Sequence, residues 1–146
     1  MSHYIKFGIT LSVSLLLMFV LSMSMIVSLD HFYLNLSNFY MALIMVAAMG
    51  VVMLLSMWDM YEDRRLNAIL LVVFIGGFLG ALALGRTSAL VGDRQFLESM
   101  IPHHSRAILV CQESALTDPE IITLCEQIIQ AQREEIVQME AILERY

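Results

Sequence analysis

Three long apolar stretches dominate the first part of the chain. Phe7 to Leu29 runs 23 residues without a charge, His31 to Trp58 runs 28 without Asp, Glu, Lys or Arg, and Leu66 to Gly85 adds 20 more. A helix needs about 20 apolar residues to cross a bilayer. The pattern predicts three membrane-spanning helices, at about residues 5–28, 39–58 and 66–85. The exit of the first, "SMSMIVSLD", lacks the small-x-small pattern of a cleaved leader, so this span is expected to stay as an anchor. In the third, Gly76 with Gly80, and Gly77 with Ala81 and Gly85, form two small-residue rows. Such rows let helices approach closely in lipid.

After Gly85 the pattern becomes amphipathic. Asp93 suits a helix cap for "RQFLESMIPHHSRAILVCQESA", and "LTDPE" breaks that helix. Thr117 with Glu120 resembles a capping box, and Asp118–Pro119 also suits a helix start, so a second helix is expected over about 119–144. So short a connection makes the two helices antiparallel neighbours. The expected fold is all-α: three transmembrane helices over 1–87, then an extramembrane helical hairpin over 88–146. Leu97, Met100, His104, Ala107, Cys111 and Ser114 share one helical face by their three-four spacing; Cys125, Ile128, Gln132, Glu135 and Met139 share another. Folding at residue 118 pairs Cys111 with Cys125, and brings His104 near Gln132, Met100 near Glu135 and Leu97 near Met139.

Composition agrees with a membrane protein. The chain is 59% hydrophobic with a net charge of −6, and its mean hydropathy is +0.75. Ten acidic residues against four arginines lie from Ser88 onward, which disfavours nucleic acid as a partner. Lys6, Arg64 and Arg65 flank the first and second spans, while the loop from Asp30 to Tyr40 has no Lys or Arg. The positive-inside bias puts the amino terminus in the cytoplasm and the tail outside, with Arg86 and Arg94 weakening the contrast. Phe32, Tyr33, Phe39 and Tyr40 suit an interfacial aromatic belt.

Two patterns carry candidate chemistry. Met41, Met45, Met49, Met53 and Met57 recur every fourth residue in the second span. Steps of four drift by about 40° on a helix, so the row spirals; packing is the favoured reading and soft-metal ligation the minority one. In "SMIPHHSRA", Met100 precedes His103 and His104 by three and four. Imidazole binds many transition metals and thioether sulfur selects Cu(I). Met139 could add a second thioether, and Glu135 could ligate or orient a histidine. A kink at Pro102 would turn the histidines inward. The alternative is ordinary polar surface. Cys111 and Cys125 read as a disulfide, as small core residues, or, for Cys111, as a thiolate ligand. No nucleophile elbow, phosphate loop or dinucleotide fingerprint is present, so no enzyme activity is expected.

Asp93, Phe96, "MIPHH", Ala107–Ile108 and "QREEIVQM" resemble the bacterial domain of unknown function 305 family over about residues 93–145. That family is similar to ferritin-like helical bundles, and some secreted members are described as copper-binding. The resemblance implies Met100, His103, His104 and Met139 as ligands, with Glu135 in support. Members usually carry a Met six or seven residues after the His pair; here those positions are Val110 and Cys111, which makes Cys111 the candidate replacement. No Glu is followed by His three residues later, against a di-iron site. The expectation is a membrane-anchored copper protein, with Cu(I) as its metal, at a bacterial inner membrane, sequestering or handing over its ion outside the cytoplasm. A hairpin this small is expected to pack on a copy of itself or a partner. The alternative is an assembly subunit of a larger membrane complex whose His/Met cluster is an interface.

Overall fold

The computed structural model describes residues 3–146. Every regular element among them is helical: α1 His3–Leu21, α2 Leu36–Ser56, α3 Arg64–Arg86, α4 Asp93–Glu113 and α5 Pro119–Leu143, with single 3-10 turns at Leu29–His31 and Trp58–Met60. The all-α expectation holds, and α1, α2 and α3 are long and apolar enough to cross a membrane. The chain divides into two compact units. One takes the chain up to Ser22 together with Ser37–Ala89; the other takes Met23–Leu36 together with Leu90–Tyr146.

The membrane unit holds the three apolar helices. Its core gathers Phe7 and Leu11 of α1, Leu54 of α2 and Tyr61 of the second loop, with Met49, Met53 and Phe74 against them. Phe7 packs edge-on to both Tyr61 and Phe74, at 5.6 and 5.7 Å between ring centres. Asn67 is fully buried. Its side chain accepts from the Tyr4 hydroxyl at 2.8 Å and donates to the Tyr61 carbonyl at 3.1 Å, which satisfies both ends of the amide. Asp63 caps α3 by accepting from the amides of Arg65 and Leu66, each at 3.0 Å. The small-residue rows of α3 contribute less inside the chain than expected. Gly76, Gly77 and Gly80 have open space where a Cβ would stand, and the tight approach is at Gly50 of α2, where a Cβ would come within 2.9 Å of the Phe74 ring.

The first span is shorter than its hydropathy suggests. The apolar run continues to Leu29, yet α1 stops at Leu21. Residues 23–36 instead pack in the other unit, where Met23 is 2% exposed. Ser22, Ser24 and Ser28 interrupt the run with hydroxyls that favour local turns. Ser28 caps the 3-10 turn by accepting from the Asp30 amide.

In the second unit α4 and α5 form the expected hairpin, closed by a Cys111–Cys125 disulfide with the two Cα atoms 5.4 Å apart. Asp118, not Thr117, caps α5, accepting from the Glu120 amide at 2.8 Å, with Pro119 in the first turn. Gly92, not Asp93, holds the cap position of α4. The core joins Leu97, Ile101 and Ile108 of α4 to Ile136 and Met139 of α5. The buried face of α4 is therefore rotated from the expected seam towards Ile101, Pro102, Ser105 and Ile108. The cause is a second cover on α4, the segment Met23–Leu36.

Pro102 explains where that cover docks. A proline in a helix leaves the carbonyl four residues earlier without its amide. Here that carbonyl belongs to Glu98, and the Asn35 side-chain amide donates to it at 3.4 Å. Asn35 is 3% exposed. Close by, the Leu36 amide donates to Gln95 Oε1 at 2.7 Å, and Gln95 in turn donates to the nearly buried Glu98 carboxylate, which Arg94 also holds.

The disulfide closes a loop across a sequence separation of 14. Loop-closure entropy puts its contribution at about 3 kcal/mol. Cys111→Ser/Cys125→Ser is expected to lower the stability of the hairpin by that order, read as an earlier denaturation midpoint than wild type in detergent. An unchanged midpoint would mean that packing alone holds the two helices.

Candidate functional site

The expected ligands fall on two sides of α4. His103 is exposed, and its ring meets that of His104 edge-on at 5.8 Å. Pro102 is buried and α4 continues through it to Glu113, so the proline does not turn both histidines inward. His104 is the inward member, with 13% of its side chain exposed and Nε2 3.3 Å from Glu135 Oε2. Glu135 thus faces His104, not Met100; the facing order is shifted by about one turn of α5. Met100 packs against the hairpin core that includes Met139. Cys111 is removed from the ligand set, because the disulfide leaves it no thiolate.

His104 sits in an unusual hydrogen-bonding position. Nδ1 is buried without a hydrogen bond, and so is Gln132 Oε1. The Glu135 carboxylate lies beside Nε2. Burial lowers the His104 pKa from its ordinary 6.5; the Glu135 carboxylate opposes this, the neighbouring His103 adds to it, and the Met100 carbonyl again favours the charged form. The balance favours the neutral imidazole. Among the described residues, no group of three or more His, Cys, Asp or Glu side chains is gathered to hold a metal.

A second constellation was not foreseen from sequence. Ser105, fully buried, accepts from the Val27 amide at 2.9 Å, and its Oγ lies 2.8 Å from His31 Nδ1. The far nitrogen of His31 lies 3.8 Å from Glu140 Oε1. Serine, histidine and glutamate in a row resemble a hydrolytic triad. The nucleophile position is sealed, however, and its oxygen is already engaged by a backbone amide. The trio is a clamp that fastens Met23–Leu36 to α4 and α5. One signal was present in the sequence: Ser105 stands between Ile101 and Ile108 on the apolar stripe, where a hydroxyl needs a partner. Nothing local indicated that the partners lie more than seventy residues away.

The comparisons cover this part of the chain. A family model described as Domain of unknown function (DUF305) matches residues 82–143, the end of α3 and nearly all of the hairpin. An uncharacterised protein of Acanthamoeba polyphaga mimivirus is 34% identical over 119 residues, which cover 80% of this chain and 76% of the relative. That alignment is longer than the 82–143 segment, so the likeness reaches into the apolar helices. No solved structure matches.

Ser105→Ala would leave the Val27 amide without its acceptor, at a cost of about 1–3 kcal/mol. Faster hydrogen exchange at Val27 and earlier proteolysis within 23–36 are expected; unchanged exchange would show that the clamp contributes nothing. His104 gives a pH signature. The unfolded chain takes up a proton near 6.5 and the folded chain only at lower pH, so stability is expected to fall as pH drops below 6.5 and to level off below the folded pKa. Thermal melts of wild type and His104→Gln between pH 7.5 and 5.5 isolate this. Parallel curves would remove His104 as the source.

Proposed function

The chain belongs to the domain of unknown function 305 family, and, taking its hairpin as that family's domain, we propose that it is a membrane-anchored Cu(I)-binding protein. The observation that carries this reading is that His104 Nδ1 and Gln132 Oε1 are each buried without a hydrogen bond. A cation could satisfy such an atom, and the thioethers Met100 and Met139 of the hairpin core make a soft cation the better fit. His104 Nδ1, Met100 and Met139 would hold the ion. Glu135 would orient the ring from Nε2, as carboxylates commonly do behind metal-bound histidines. His103, on the exposed side, would meet an arriving ion before the inner residues do. Thioether and imidazole are neutral, so the ion keeps its single charge and suits exchange with a donor or acceptor. The role is sequestration or handover, not catalysis.

The three apolar helices supply the membrane association. The basic residues Lys6, Arg64 and Arg65 favour a cytoplasmic amino terminus and second loop, with the hairpin outside. The disulfide supports that side, since such bonds persist in oxidising compartments. A bacterial inner membrane with the hairpin in the periplasm meets both conditions.

A second reading, an assembly subunit of a membrane complex, draws on the exposed apolar residues of the hairpin. Phe96, Val110, Leu124 and Val137 are each about half exposed or more. A partner, or a second copy of this chain, would cover them.

The test is anaerobic Cu(I) titration of the detergent-purified protein against a competing chelator. Wild type is expected to retain copper at the hairpin and His104→Ala to lose it. Met100→Leu and Met139→Leu should each weaken binding at least tenfold. Cys111→Ser/Cys125→Ser should bind within a few-fold of wild type. Equal weak binding in wild type and His104→Ala would overturn the copper reading and favour the interface.

A further inference from the structure

The methionine row of α2 does not act as one file. Met41 is 54% exposed, while Met49 and Met53 pack against the core around Leu54. Met45 and Met49, one turn apart, line with Met18 of α1 an open groove of about 510 Å³. Two leucines of α1 and the hydroxyl residues Ser14 and Ser22 complete its lining.

Methionine packs well into irregular gaps, because its unbranched thioether has three rotatable bonds. Here three of them line one open groove, where they are also placed to act as donors. No carboxylate, imidazole or thiol lines the groove. A hard or divalent cation would therefore bring charge that nothing compensates. Three neutral sulfur donors suit one class of ion, soft and singly charged, for which thioether replaces water.

We propose that Met18, Met45 and Met49 form a second, sulfur-only site for a soft monovalent cation of the Cu(I) class in the membrane unit. The site shares its metal class with the hairpin reading and none of its residues, so either can fail alone. Met49 also touches the core, which fixes one donor; Met45, 37% exposed, supplies the adjustable one.

The experiment titrates the full chain in detergent with Ag(I), a redox-inert probe, and with Cu(I), followed by X-ray absorption at the metal edge. Four proteins are compared: wild type, Met18→Leu/Met45→Leu/Met49→Leu, Met100→Leu/His104→Ala, and Met41→Leu. Met-to-Leu exchange nearly conserves volume, and the Cys111–Cys125 disulfide and helical content report folding. Wild type is expected to bind two equivalents. The hairpin variant should keep one, with sulfur as the only neighbour in its first shell. The triple variant should lose one, and Met41→Leu should match wild type. Single Met45→Leu should weaken the groove site at least tenfold. If the hairpin variant keeps none, or if the triple variant binds as many equivalents as wild type, the groove site is overturned. One equivalent in wild type, kept by the hairpin variant and lost in the triple variant, would support the groove and sink the hairpin site.

Discussion

The second unit is organised around a backbone carbonyl that its own helix cannot satisfy. Pro102 withholds an amide from the Glu98 carbonyl, and Asn35 replaces it from a distant part of the chain. Once Asn35 is seated, Leu36 reaches Gln95, and the segment runs back along α4 to Ser105. Ser105 fastens Val27 and His31, and His31 reaches Glu140 on α5. The segment so anchored draws Met23 and Tyr33 into the unit, one buried and the other against the core. What resembles a two-helix hairpin in sequence is a three-layered object: α5, α4 and the docked segment.

This cover also shapes the candidate site. With one face of α4 taken by the segment and another by α5, the two adjacent histidines cannot share an environment. They stand about 100° apart on the helix, and only His104 turns into the structure. Burial favours its neutral ring, the Glu135 carboxylate lies beside one nitrogen, and the other is buried without a hydrogen bond. The disulfide meanwhile ties the far end of the hairpin and takes Cys111 out of any ligand role. Met100 packs against the core that includes Met139, while His103 stays in solvent.

The membrane unit follows different physics. Its helices are long and apolar enough to cross a membrane and are little buried inside the chain, so aromatic packing and a few satisfied polar groups specify their contacts. Asn67 is the clearest case: buried in an apolar setting, it is tolerable because Tyr4 and the Tyr61 carbonyl use both ends of its amide. Tyr4 also stacks on Tyr61, at 5.2 Å between ring centres, so one residue supplies packing and polarity together. The methionines divide among lipid, core and groove because a repeat of four does not match the 3.6-residue turn.

The sequence by itself determined the number and kind of elements. Apolar runs of 20 residues or more suit apolar helices, a three-four spacing places residues on one helical face, and a short turn carrying Asp118–Pro119 returns the chain alongside itself. The equal distances of Cys111 and Cys125 from that turn were enough to align them. Local pattern also picked out Met100, His103, His104, Glu135, Met139 and Cys111 as candidate ligands, and the family resemblance marked the same positions. Tertiary structure alone decided which face of α4 is buried, that α1 ends at Leu21, that Pro102 docks Asn35 without turning both histidines inward, and that His31, Ser105 and Glu140 meet. These depend on a contact between segments more than sixty residues apart. Hydropathy and helical periodicity register each residue's neighbours along the chain, whereas a buried hydrogen bond is settled by whichever distant group arrives with a matching donor.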